Sequence, residues 1–101
     1  GDSGVRALIP LLPTFPALHT LGLSANQIGD AGAKSLGDVA GRCPSLGVLD
    51  LAFNSISQRG AWRLAAKLHT SKPLARLDLA DNLAGAESAW AEVQQRKQSN
   101  S

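Results

Sequence analysis

The stretch LGVLDLAFN at residues 46–54 returns twice, as LHTLGLSAN at residues 18–26 and as LARLDLADN at residues 74–82. Leu18, Leu46 and Leu74 stand 28 residues apart, and a fixed period of this size marks units that cannot bury an apolar face alone and must stack on one another. Inside each phrase the leucines alternate with small or polar residues: Leu21 and Leu23 are interleaved with Thr20, Gly22 and Ser24. That period of two predicts a strand with one buried face, recurring at 48–52 and 76–80. Strands at equal positions of successive units pair side by side in parallel, and parallel pairing requires a long crossover.

The intervening segments supply that crossover. In DAGAKSLGDVAG, residues 30–41, Ala33, Leu36 and Ala40 have helical spacing, and Ala61, Leu64 and Leu68 follow one period later. Asp30 is placed to cap the first turn of its own helix, Gly41 to stop it, and Pro44 and Pro73 to keep the helices from running on. Pro10 and Pro13 shorten or kink the first helical segment.

The recurring phrase fits L-x-x-L-x-L-x-x-N, so the chain resembles the leucine-rich repeat family, and a 28-residue unit with a helical second half resembles its ribonuclease-inhibitor-type class. The resemblance implies an α/β fold: a right-handed leucine-rich repeat solenoid with short parallel strands on the concave face and helices on the convex face. It divides the chain into a partial repeat at residues 1–17, repeats at 18–45, 46–73 and 74–98, and a polar tail at 99–101. Asn26, Asn54 and Asn82 close the three phrases, and the resemblance implies that each bonds the main chain of its own and the neighbouring repeat. An amide suits the place because it donates and accepts at once, so this asparagine ladder reads as scaffold rather than as a ligand contact.

Residues GDSGVRAL at the start match GDAGAKSL one period later, so the chain opens inside a repeat and reads as a fragment of a longer protein. The expected open N-terminal layer exposes Val5, Leu8 and Leu12 and an unpaired strand edge from Thr20 to Ser24. At the other end Glu92 and Arg96 take the places of Leu64 and Leu68, and Ala84 that of Ile28 and Ile56. Either this helix rotates to bring Ala89 and Val93 inward or it is a polar cap; the run QQRKQSNS that follows favours the cap and a natural C-terminal end.

If strands line the inner curve, its surface is built from Thr20, Gly22 and Ser24, then Val48, Asp50 and Ala52, then Arg76, Asp78 and Ala80. The candidate partner-binding residues are Val48, Asp50, Arg76 and Asp78 with Phe53 and Asp81 at the rim, an acidic and apolar patch suited to a basic partner. On the helix side Arg59, Arg63 and Lys67 align at a spacing of four beside Trp62. With a net charge of only +2 and no base-reading residues, that stripe reads as a solvated helix face, and nucleic acid is not favoured. Trp62 and Trp90 share one repeat position and read as flank packing.

Chemistry finds no foothold in the pattern: His19 and His69 have no metal spacing with Cys43, Asp50 and Asp78 lie on an open face, and no phosphate loop is present. No catalytic, cofactor or metal residues are therefore assigned, and no small-molecule substrate or membrane association is expected. One cysteine and no completed Asn-x-Ser/Thr site favour an intracellular setting, cytoplasmic or nuclear. The expected function is a protein-protein interaction module whose partner is another protein or the missing N-terminal part of its own chain. A regulatory role, such as GTPase activation in the manner of Ran GTPase-activating protein, or a structural place in a large assembly are the alternatives that the same repeat class implies.

Overall fold

The computed structural model describes residues 1–14, 17–40, 42–43, 45–69 and 74–99, so the expectations for Gly41, Pro44 and Pro73 lie outside the described residues. Three short strands, β1 (Thr20–Gly22), β2 (Val48–Asp50) and β3 (Arg76–Asp78), form a parallel sheet in the order β1-β2-β3. Leu21 lies beside Leu49 and Leu49 beside Leu77, so the pairing register equals the sequence period. A slip of one residue would carry every leucine to the opposite face, and that penalty fixes the register. Main-chain bonding continues past the strands: the Leu51 N–H donates to Asp78 O at 2.8 Å and the Phe53 N–H to Ala80 O at 2.9 Å.

Among the described residues four α-helices alternate with the strands: α1 (Asp2–Leu8), α2 (Asp30–Ala40), α3 (Gln58–Leu68) and α4 (Ala89–Ser99). They pack in sequence order, α1 on α2, α2 on α3 and α3 on α4. The middle unit supplies the densest part of the core, with Leu46, Leu49, Leu51, Ile56, Ala61, Leu64, Ala65 and Leu68 all buried. Leu21 and Leu23 of the edge unit are half-buried, because their strand has a neighbour on one side only.

Several expectations are corrected. Val5 and Leu12 are not exposed but buried at 4% and 2%. The two prolines convert residues after α1 into a 3-10 helix, Ile9–Thr14, which packs against α2 and carries Leu12 inward; Leu11 is left outside instead. Ala52, expected on the open strand face, is buried. Asp30 does not cap α2; its carboxylate reaches the next unit, as described below.

The last unit takes the rotated arrangement rather than the polar cap. Ala86, Ala89, Trp90 and Val93 are buried, while Glu92 is only half-buried and Ala84 is exposed. One period after Gln58, the start of α3, is Ala86, yet α4 begins at Ala89, because a turn with Gly85 at φ +83° is interposed. Glycine reaches that left-handed conformation without the steric penalty of a side chain. The turn delays the helix so that Trp90 and Val93 face the core, and Glu92 is spared full desolvation. The expectation for Arg96 lies outside the described side chains.

Candidate functional site

The sheet aligns the candidate residues in rows. Thr20, Val48 and Arg76 form one row and Gly22, Asp50 and Asp78 the next, on strands spaced about 4.8 Å apart. Asp50 and Asp78 are therefore direct neighbours, and each is half-buried. Their carboxylates also serve the backbone: Asp50 Oδ1 accepts from the Ala52 N–H and Asp78 Oδ1 from the Ala80 N–H, both at 3.0 Å. Such bonds to the amide two residues on close each strand into a turn. Arg76 Nη2 stands 3.8 Å from Asp78 Oδ2, exposed enough to remain a weak surface pair.

Beyond the strand ends the chain turns sharply at equivalent places. Ala25, Phe53 and Asp81, 28 residues apart, have φ of +57°, +56° and +58°. A residue with a side chain is strained in this region by about 1–3 kcal/mol, and none of the three is glycine. Phe53 is the unusual member, since its ring is 62% exposed at the same position where the neighbouring unit carries Asp81. Val48, Asp50, Phe53, Arg76, Asp78 and Asp81 thus occupy one continuous margin of the sheet, with the exposed Leu83 two residues beyond Asp81.

Two sets of side chains bind the units together. Asn54 accepts from the Asn26 and Ile28 N–H groups through Oδ1 at 3.0 and 2.9 Å, and its Nδ2 donates to Leu23 O and Leu51 O at 3.0 Å. Asn82 makes the same type of bridge, accepting from the Ile56 N–H and donating to Leu51 O and Leu79 O. Asn26 departs from the expected ladder: among the described residues its side chain donates only to Ser24 O of its own turn, because the strand half of a preceding repeat that it would bridge to is not in this chain. At the helix side the bridging groups are aspartates: Asp2 Oδ1 accepts from the Gly29 N–H at 2.9 Å, and Asp30 accepts from both the N–H and the hydroxyl of Ser57. Ser57 in turn is the N-cap of α3, accepting from the Gly60 N–H.

Sequence reasoning missed this second set because it assigned Asp30 to its own helix. A signal was present: Gly32 and Gly60 recur with Asp2 and Asp30, and a Cβ on either glycine would collide with the carboxylate of the preceding unit.

The family model described as Leucine Rich repeat matches residues 16–37 and 42–65, which span β1 with most of α2 and β2 with most of α3. The matches support a leucine-rich repeat protein. The parallel strands and alternating helices fit the α/β fold of leucine-rich repeats. No curated protein and no solved structure matches the chain.

Leucine-rich repeats are typically non-catalytic binding modules. Cys43 is buried, its Sγ donates to Val39 O, and burial pushes its thiol up, opposed weakly by Arg42; a thiol so placed is a poor nucleophile near neutral pH. His19 Nδ1 lies 3.2 Å from Ser45 O, and His69 is the C-cap residue of α3. Among the described residues no group of three or more His, Cys, Asp or Glu side chains could hold a metal ion, and no helix is long and apolar enough to cross a membrane. Trp62 is half-buried and packs against the core, and Trp90 belongs to the core itself. On the helix layer Arg59, Arg63 and Lys67 are exposed, and Lys67 pairs with Asp38 of α2. That pair holds the Asp38 carboxyl below its ordinary value, chiefly through the lysine hydrogen bond.

Proposed function

We propose that this leucine-rich repeat segment is a protein-interaction module of the ribonuclease-inhibitor-type class, coiled as a right-handed solenoid with its strands inward. Leucine-rich repeats generally mediate protein-protein interaction, and the sheet margin is the surface put forward here. The observation that carries the reading is Phe53: a large aromatic ring held exposed on a strained left-handed backbone, beside Asp81 and next to the Asp50–Asp78 row. Strain retained at an exposed aromatic position is a mark of function, because glycine there would relieve it and an exposed ring gains nothing from the core. Phe53 would enter an apolar recess of a basic partner, with the aspartates meeting lysine or arginine around it. A single buried cysteine supports an intracellular setting for such a partner.

The test separates stability from binding. Phe53→Gly should raise stability by about 0.5–1 kcal/mol through release of the left-handed strain, yet lose the partners that the wild-type chain captures from cell extract. Asp50→Asn with Asp78→Asn, which keeps an acceptor for the turn bonds, should lose the same partners. Equal recovery by all three proteins, scored by quantitative mass spectrometry, would remove the sheet margin as the binding surface.

A further inference from the structure

The charges of the chain are divided between its two sides. Along the sheet margin Asp50, Asp78 and Asp81 outnumber Arg76, whereas α2 and α3 present the exposed cations Lys34, Arg59, Arg63 and Lys67 against the carboxylates Asp30 and Asp38. The surplus of two positive charges on this pair of helices equals the formal net charge of the whole chain, +2. Both carboxylates are engaged, Asp38 with Lys67 and Asp30 with Ser57. Among the described residues no salt bridge joins Lys34, Arg59 or Arg63. Arg59 stands in the first turn of α3, which carries no acidic residue of its own; the Asp30 carboxylate of the preceding unit is already bound there to Ser57.

Tertiary structure adds a floor to these charges. Between α2 and α3 runs a groove of about 350 Å³ whose base is Leu64, Ala66 and the vacant side-chain position of Gly37, rimmed by Lys34, Arg63 and Lys67. A Cβ on Gly37 would already stand 3.1 Å from Leu64 Cδ1, so any larger residue there would fill the groove. The groove is continued toward Arg59 by a smaller hollow that Lys34 and Arg63 share, with the Asp30 carboxylate, bound to Ser57, also in its wall.

We infer that the α2–α3 groove docks an acidic helical segment of another protein, its carboxylates on Lys34, Arg59 and Arg63 and one aliphatic side chain on the Leu64–Ala66 floor. The spacing favours a helix: cations four residues apart on α3 repeat about every 6 Å, as do carboxylates four residues apart on a partner helix lying alongside. An apolar floor fits a protein better than a phosphate backbone, and two surplus charges are few beside the six to ten phosphates that nucleic-acid binders commonly neutralise. This surface lies on the helices and is independent of the sheet margin proposed above.

The probe is a fluorescent helical peptide with glutamate at every fourth position and leucine between them, titrated into the full chain at low salt and followed by anisotropy. Saturable binding is expected, weakened at least tenfold by Lys34→Glu with Arg63→Glu and to a smaller degree by Arg63→Gln. Ala66→Trp, which fills the floor and leaves every charge, should weaken it severalfold, as should leucine-to-glutamine exchange in the peptide. Asp50→Asn with Asp78→Asn should leave it unchanged, and circular dichroism checks that each variant is folded. Absence of saturation, equal affinity after charge reversal, or a single-stranded oligonucleotide binding as tightly as the peptide would overturn the inference. Loss of peptide binding in the Asp50/Asp78 variant would overturn it too, and would move the site to the sheet margin.

Discussion

The middle and last units begin with nearly the same phrase, LGVLDLAFN and LARLDLADN, and end in different ways. Their strand halves superimpose in function: β2 and β3 pair in the repeat register, and Asn54 and Asn82 bridge to the preceding unit through the same atoms. Their helical halves diverge. In α3 the buried stripe is Ala61, Leu64, Ala65 and Leu68; in α4 it is Ala89, Trp90 and Val93, with Glu92 turned toward water where Leu64 had been. The aspartate bridge is lost in the same place. Asp30 meets Gly60 across the α2–α3 contact, but one period later Gln58 replaces the aspartate and Ser88 the glycine, so loss of the carboxylate coincides with loss of the vacancy that admitted it. Strand positions are held by bonds to the unit before, which both units possess. Helix positions are held by layers on both sides, and among the described residues α4 packs against one helix, α3.

The sharpest way to test this difference is at the equivalent pair Leu64 and Glu92. Leu64→Ala should destabilise by about 3 kcal/mol, through lost burial and the cavity left behind, whereas Glu92→Ala should change stability by less than about 0.5 kcal/mol. Urea unfolding of both variants decides it, and equal losses would show that the last helix is as closely packed as the middle one. Next in size is the asparagine pair. Asn54→Ala strands buried donors and acceptors of two units and should cost about 2–3 kcal/mol; Asn26→Ala, whose amide serves its own exposed turn, should cost only a few tenths.

The aspartate bridge predicts a reversal of sign. An exposed helical glycine replaced by alanine ordinarily gains about 1 kcal/mol, but Gly60→Ala should lose about 1–2 kcal/mol because the new methyl meets the Asp30 carboxylate. In an Asp30→Ala background the same change should become stabilising, and a double-mutant cycle reads the coupling directly. Ser88→Ala, at the equivalent place in the last unit, should be close to neutral.

The smallest effect concerns Asp38 and Lys67, which join α2 to α3 at the surface. The folded Asp38 carboxyl is held below its ordinary value, so its contribution is present above the unfolded pKa and fades as pH falls through the lower folded one. Both side chains are substantially exposed, and screening limits the effect to a few tenths of a kcal/mol. Asp38→Asn should flatten the acid limb of a stability–pH curve by that amount; an unchanged curve would show that the pair contributes nothing.

The strand half of each unit was legible because its determinants repeat. Leu21, Leu49 and Leu77 recur at the period that sets their pairing, and Asn54 and Asn82, closing phrases that have a strand before them, take the one arrangement that satisfies both donor and acceptor. The candidate patch was legible to the same degree: register places Asp50 beside Asp78, though burial of Ala52 and the left-handed backbone under Phe53 were beyond a pattern of two. Helical spacing alone marks which residues share a face, but not which face turns inward when a charged residue interrupts the stripe. That choice in α4 depended on a three-residue delay at Gly85 and on the cost of burying Glu92.

By itself, then, the sequence determined the repeating unit, the parallel pairing and its register, since these follow from local alternation and a constant period. Only tertiary structure decided that Asp30 reaches the next helix rather than its own, that Leu12 turns inward, and that Lys34 faces Arg63 across an apolar groove. Those outcomes depend on the distance and angle between neighbouring helices, quantities set by the packing of side chains far apart in sequence and written in no single stretch of it.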